Sequence, residues 1–127
     1  MEIEMRELKK HEDNRGILFE ILRRDETADE IKHIYFSVSK SGAVRGDHHH
    51  KRKVEWFCVV KGRAKLIVED INTNEKKEVI LDSEKPTIVK IPPYVKHQIK
   101  NIGRGRMYLI AVTNEVFDPD DPDTYKS

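Results

Sequence analysis

Gly42-Ala43-Val44-Arg45-Gly46-Asp47-His48-His49-His50-Lys51-Arg52-Lys53-Val54-Glu55-Trp56-Phe57-Cys58-Val59-Val60-Lys61-Gly62 is the stretch on which the reading of the fold turns. Val54 to Val60 is rich in β-branched and aromatic residues and stops at Lys61-Gly62, the composition and punctuation of a strand. In extended chain His48 and His50, two apart, point to one face, while His49 points away. Lys51-Arg52-Lys53 is polar and can turn the chain. Beyond it Glu55 shares a face with Phe57 and Val59, and Trp56, Cys58 and Val60 take the other. A glutamate on an otherwise apolar face is costly to bury without a positive partner. A metal ion supplies one.

Short β-rich runs recur on both sides of this stretch. They are Ile17 to Leu22 after Asp13-Asn14-Arg15-Gly16, Ile34 to Val38 before Ser41-Gly42, Ala64 to Glu69 before the turn Asp70 to Asn74, Val79 to Leu81, Thr87 to Ile91, and Met107 to Thr113. Many short strands at such spacing indicate an all-β sandwich or barrel. Asp25 to Lys32 reads as a turn or one short helix, and Asp118 to Asp123, acidic and broken by prolines, reads as irregular. Ile91-Pro92-Pro93-Tyr94 closes one strand and His97 opens another, with His97, Ile99 and Asn101 on one side. Three imidazoles and one carboxylate, His48, His50, His97 and Glu55, form a donor set for a divalent metal, with zinc first and Fe, Mn, Ni or Co also suited.

The 127 residues fit one domain, 1–127. With 24 basic and 23 acidic side chains the net charge is +1, and the basic residues do not cluster, so no nucleic-acid surface is expected. No apolar run approaches the ~20 residues of a membrane helix. The start, Met1-Glu2-Ile3-Glu4-Met5, lacks the basic-then-apolar form of a secretion signal. The one cysteine, Cys58, has no partner for an internal disulfide. A cytoplasmic location is expected. Cys58 and Trp56 read as packing residues.

The chain resembles the cupin superfamily in two motifs. Gly42, His48, His50, Glu55 and Gly62 keep every spacing of the first, and Pro92, His97 and Asn101 match the second, with Tyr94 where that motif has glycine. The resemblance implies a double-stranded β-helix, or jelly-roll, cupin barrel. A narrower likeness rests on Asp13, Arg15, Gly16, Leu18 and Glu20, on Arg45-Gly46, and on the ending Asn114 to Pro119 with Pro122-Asp123-Thr124-Tyr125. It is similar to the sugar-nucleotide cupins, namely the 3,5-epimerases and 3,4-ketoisomerases of 4-keto-6-deoxyhexoses. Most of all it resembles the C-terminal cupin domain of bifunctional capsular polysaccharide enzymes of the CapF type. That likeness implies zinc, epimerisation of a 4-keto sugar nucleotide, a separate reductase in the same pathway, and a homodimer joined through N-terminal strands, for which Met1 to Lys10 are available.

Epimerisation beside a ketone needs a base for the proton and something to hold the enolate charge, which a metal does as a Lewis acid. A metal-bound imidazole has no lone pair left to act as base. In metal-free ketoisomerase relatives the paired histidines are acid and base, so His48 and His50 either bind metal or move protons, and Glu55 with His97 favours metal. The base is then water activated at the metal, or a side chain: Tyr35, Tyr94 or Lys51. Arg15 and Arg45 are candidates to hold diphosphate or sugar hydroxyls. Two other functions fit the same residues: a cupin that binds a sugar or small acid without turnover, and an Fe(II)-dependent oxygenase.

Overall fold

The computed structural model describes residues 1–126. Among these, eleven strands follow one another: β1 (Met5–Glu7), β2 (His11–Asp13), β3 (Gly16–Leu18), β4 (His33–Ser39), β5 (Val44–His48), β6 (Glu55–Lys61), β7 (Arg63–Asp70), β8 (Lys76–Asp82), β9 (Thr87–Ile91), β10 (Val95–Asn101) and β11 (Met107–Thr113). One 3₁₀ turn, Arg24–Glu26, overlaps only the start of the stretch Asp25 to Lys32 read as a turn or short helix. The chain is all-β, and no helix among the described residues is long and apolar enough to cross a membrane.

Alternation along the strands builds the barrel. A five-stranded antiparallel sheet runs β1-β9-β6-β11-β4 and a four-stranded one runs β5-β10-β7-β8. Side chains pointing inward from both sheets make one core: Phe57 and Val59 from β6, Leu66 and Val68 from β7, Val89 and Ile91 from β9, Ile99 from β10, and Met107 and Leu109 from β11. Alternate residues of β6, Trp56 and Cys58, face the other way. They form a second cluster with Ile88 and Val112 on the outside of the five-stranded sheet.

That outer cluster explains one departure from expectation. Ile17 to Leu22 was expected as one strand, yet β3 ends at Leu18. Phe19, Ile21 and Leu22 instead lie against the outer cluster. Their apolar surface gains more by covering Trp56 and Cys58 than by extending a hairpin that has no sheet beside it. The β2–β3 hairpin pairs only with itself, and within this chain β1 pairs with β9.

Two local devices aim the site. In β5 opposite β10, His48 faces His97 and Gly46 faces Gln98, which leaves Asp47 as an extra residue in a β-bulge. Gly46 has φ +90, and a Cβ there would stand 2.8 Å from the His97 carbonyl oxygen, so the strand crossing needs glycine. At the far end of β10, Asn101 donates to Ser39 O at 3.0 Å and Gly105 O at 2.8 Å, tying the two sheets together. The tail from Asp118 to Asp123 is irregular, as expected.

Candidate functional site

His48 ends β5, Glu55 opens β6 and His97 lies on β10, so the cluster spans both sheets at one mouth of the barrel. His50 stands on the turn between β5 and β6. The ligand-type atoms of His48, His50, Glu55 and His97 all lie within 4.8 Å of one another. Ring centres are 5.0 Å apart for His48 and His50, 4.9 Å for His48 and His97, and 5.3 Å for His50 and His97. His50, Glu55 and His97 are buried, and His48 is half-buried.

The outer nitrogens of two rings are anchored. His50 Nδ1 donates to Asp123 O at 2.7 Å and His97 Nδ1 donates to Val95 O at 3.1 Å. A carbonyl only accepts, so each Nδ1 carries a hydrogen, and Nε2 of each ring is the nitrogen turned inward. Both Nε2 atoms are buried without a hydrogen-bond partner. His50 Nε2 lies against Glu55 Oε1, and His97 Nε2 is 3.8 Å from the same oxygen. A ring nitrogen that close to a carboxylate oxygen is held there by a proton or by a metal cation between them. Carbonyl-anchored imidazoles with free inner nitrogens are how metal-ligating histidines are held. The donor set therefore fits a divalent ion.

Electrostatics point the same way. Burial, with His97 and His50 nearby, pushes His48 down to about 4. Burial also lowers His97. Burial opposes ionisation of Glu55, but the His50 contact and the nearby His97 outweigh it and hold the carboxyl below its usual range. At neutral pH the cluster offers unprotonated imidazoles at positions 48 and 97 beside a carboxylate, the forms a metal binds.

Two cavities flank the cluster and share Tyr35, His48 and Glu55. The inner one, about 290 Å³, adds Ser37, Arg45 and His97. The tail-side one, about 320 Å³, adds His33, His50, Lys53 and Phe117. A larger cavity of about 370 Å³, beside Glu4, Glu26, Trp56 and Lys90, lies outside the five-stranded sheet and shares no residue with the cluster.

The structure separates the remaining candidates. Tyr35 is at the site, its Oη donating to Glu55 Oε2 at 3.2 Å. Burial, then the charge of Glu55, raises its pKa, so the hydroxyl stays protonated at neutral pH. Arg45 lines the inner cavity, with Nε on Ser39 Oγ at 2.8 Å and Nη2 on Val38 O at 2.9 Å, which leaves Nη1 facing elsewhere. Arg15, Lys51 and Tyr94 line neither cavity. Arg15 closes on its own Asp13, at 2.8 Å through its backbone and 2.6 Å through its side chain, on the free hairpin. Lys51 extends over the Tyr125 ring, 4.2 Å from its centre. Tyr94 takes the left-handed φ of +64 expected of glycine there, and its exposed ring leaves only its backbone to bridge His50 and Ile71. His49 points away from the cluster and stacks on Tyr125. Cys58 is fully buried in the outer layer, and burial pushes its thiol up to about 11, so it is inert.

Two residues at the site were not anticipated. Asp123 receives His50 on its carbonyl, and its carboxylate accepts from the backbone N–H groups of Lys51, Arg52 and Lys53 at 3.0, 2.9 and 2.9 Å. Nothing local in the sequence marks it. Lys53 lines the tail-side cavity; lying two positions before Glu55, it shares that residue's side, a signal the alternation already carried.

The jelly roll built from these two antiparallel sheets is an RmlC-like cupin barrel. The chain belongs to the family described as Polysaccharide biosynthesis C-terminal domain, which matches residues 11–125. It is 38% identical over 115 residues to a UDP-2-acetamido-2,6-beta-L-arabino-hexul-4-ose reductase of Pseudomonas aeruginosa, covering 91% of this chain but 30% of that relative. It is 29% identical to the probable low-salt glycan biosynthesis epimerase Agl13 of Haloferax volcanii, covering 96% of this chain and 83% of the relative. Among solved structures, the capsular polysaccharide assembling protein CapF of Staphylococcus aureus superposes with a TM-score of 0.73 at 34% identity, over 94% of this chain and 34% of CapF. The dTDP-6-deoxy-D-glucose-3,5-epimerase RmlC of Legionella pneumophila, solved with dTDP-4-keto-L-rhamnose, superposes with a TM-score of 0.86 at 19% identity, over 98% of this chain and 71% of RmlC, a likeness of fold. The chain thus spans about a third of the reductase and of CapF.

Proposed function

We propose that this chain is an epimerase or isomerase of 4-keto sugar nucleotides in polysaccharide biosynthesis, built around one divalent metal, zinc foremost. The observation that carries the reading is the pair of buried, unpartnered Nε2 atoms of His50 and His97 facing Glu55 at the wall of two cavities. The epimerase Agl13 and the epimerase RmlC among its likenesses support the reaction class.

His48, His50, Glu55 and His97 hold the ion. An ion bound there supplies Lewis acidity to the ketone oxygen of the sugar. Tyr35, held protonated beside Glu55, donates a proton at the cavity wall. Arg45, fixed by Ser39 and Val38, offers its remaining N–H groups to the ligand in the inner cavity. The working unit is a homodimer, supported by exposed apolar residues on an edge strand, Ile34 and Phe36 of β4, and on the β2–β3 hairpin, Ile17 and Leu18.

The test is solvent deuterium exchange into UDP- and dTDP-4-keto sugars by the zinc-loaded protein, with metal content measured in parallel. We expect exchange at the carbon beside the ketone, and loss of both metal and exchange in His97→Ala. Stoichiometric metal with saturable ligand binding and no exchange across the panel would make the chain a binding cupin instead. Oxygen consumption with bound iron would identify an oxygenase.

A further inference from the structure

Lys53 is only 7% exposed, yet its ammonium has no hydrogen-bond acceptor and no ion-pair partner among the described residues. Its one contact is the Phe117 ring, whose centre is 5.7 Å away, near the outer limit of a cation–π interaction. The aliphatic stem is buried, while the Nζ tip keeps access to open space at the cavity it lines. The ammonium borders the tail-side cavity with His48, Glu55, Thr113 and Thr124. Both hydroxyls are occupied as donors, Thr113 to Glu115 O and Thr124 to Pro122 O, so Lys53 is the cation of that cavity. Its backbone is fixed as well, since its N–H is held by Asp123 Oδ2 at 2.9 Å. A cation at a cavity wall, with its backbone fixed and no ion-pair contact among the described residues, is suited to take an anion.

We propose that Lys53 is the cation of an anion subsite in the tail-side cavity, and that it takes a phosphate oxygen of a nucleoside diphosphate sugar. The choice of phosphate rests on the sugar-nucleotide reading above; the anion subsite rests on an ammonium without an ion-pair partner, held at the cavity wall by its buried stem. Arg15, another cation considered for diphosphate, closes on Asp13 and does not line the cavity. Lys53 thus sets the site's preference for charged over neutral ligands.

Calorimetric titration of the zinc-loaded protein with UDP, dTDP and inorganic pyrophosphate, at two salt concentrations, tests this. Lys53→Met should weaken nucleoside diphosphate binding about tenfold or more and flatten its salt dependence, while Lys53→Arg stays within about threefold of wild type. Melting temperature and zinc content serve as controls for the fold. Lys53→Met binding within twofold of wild type overturns the proposal, because an anion held by the metal alone would not feel the substitution. Should Lys53→Met not fold, a wild-type nucleotide affinity that does not fall with salt overturns it equally. Pyrophosphate binding that needs Lys53, without binding of either nucleotide, leaves the anion subsite standing and removes the sugar-nucleotide reading. No binding of any of the three to wild type removes the subsite.

Discussion

Asp123 joins the tail to the cluster through one residue. Its carbonyl fixes the ring of His50, and its carboxylate gathers the three N–H groups between His50 and Glu55. Bonds to a charged acceptor are each stronger than neutral ones, and their loss leaves buried donors unpaired. Asp123→Ala should therefore lower stability by about 2–4 kcal/mol in urea unfolding. It should also weaken zinc about 10- to 100-fold in a chelator competition, as loss of an outer partner of a ligating histidine does. A variant that loses stability but keeps wild-type zinc affinity would show that His50 needs no anchor. At this scale the four cluster residues were legible in the sequence, because His48, His50, Glu55 and His97 follow strand alternation and motif spacing. Lys51 was not correctly placed. It is next to His50 in sequence, but the Asp123 clamp sets the direction of residues 51 to 53 and leaves Lys53 at the cavity. A clamp 70 to 73 positions away leaves no trace in the local pattern.

Among the elements, β5 is the one whose sequence says least and whose geometry matters most. Val44-Arg45-Gly46-Asp47-His48 lacks the apolar alternation that marked β6, β7, β10 and β11, and it is mostly exposed. Its place is set by pairing with β10 and by the bulge at Asp47, a tertiary choice that period-two reading does not detect. The outer layer escaped in the same way. Ile17 to Leu22 has strand composition, but Trp56 and Cys58 on the far side of β6 draw its second half into coil. Gly46→Ala tests the bulge. Its new methyl would meet the His97 carbonyl oxygen at 2.8 Å in a backbone conformation that side chains rarely adopt. A destabilisation of about 1–3 kcal/mol is expected, together with a changed absorption spectrum of the cobalt-substituted protein as His48 and His97 lose their register. An unaltered cobalt spectrum with wild-type stability would mean that the crossing tolerates a side chain.

Across the whole molecule, the barrel hides its core but leaves apolar surface at the β4 edge and on the β2–β3 hairpin. Ile34 and Phe36 lie on the open edge of the five-stranded sheet, and Ile17 and Leu18 on a hairpin with no sheet neighbour. A monomer with such an edge risks unspecific pairing, and a self-complementary contact covers it. Light scattering after size exclusion should give a dimer for the wild type and a monomer for Ile34→Glu with Phe36→Glu. A monomeric wild type at tens of micromolar would remove the dimer. The β-rich class, the barrel and its inward-facing cluster follow from alternation and spacing, whereas the assembly depends on surfaces that a linear pattern does not order in space. The tail clamp has one more consequence. His50 and its anchor are separated by 73 positions, so during synthesis the imidazole leaves the ribosome long before Asp123 does. A nascent chain can collapse into its sheets and still grip an ion poorly. Any ion the cluster takes would then be held at full strength only once translation has passed residue 123, and a protease nick in the exposed turn at Asp118 to Asp121 should weaken that hold.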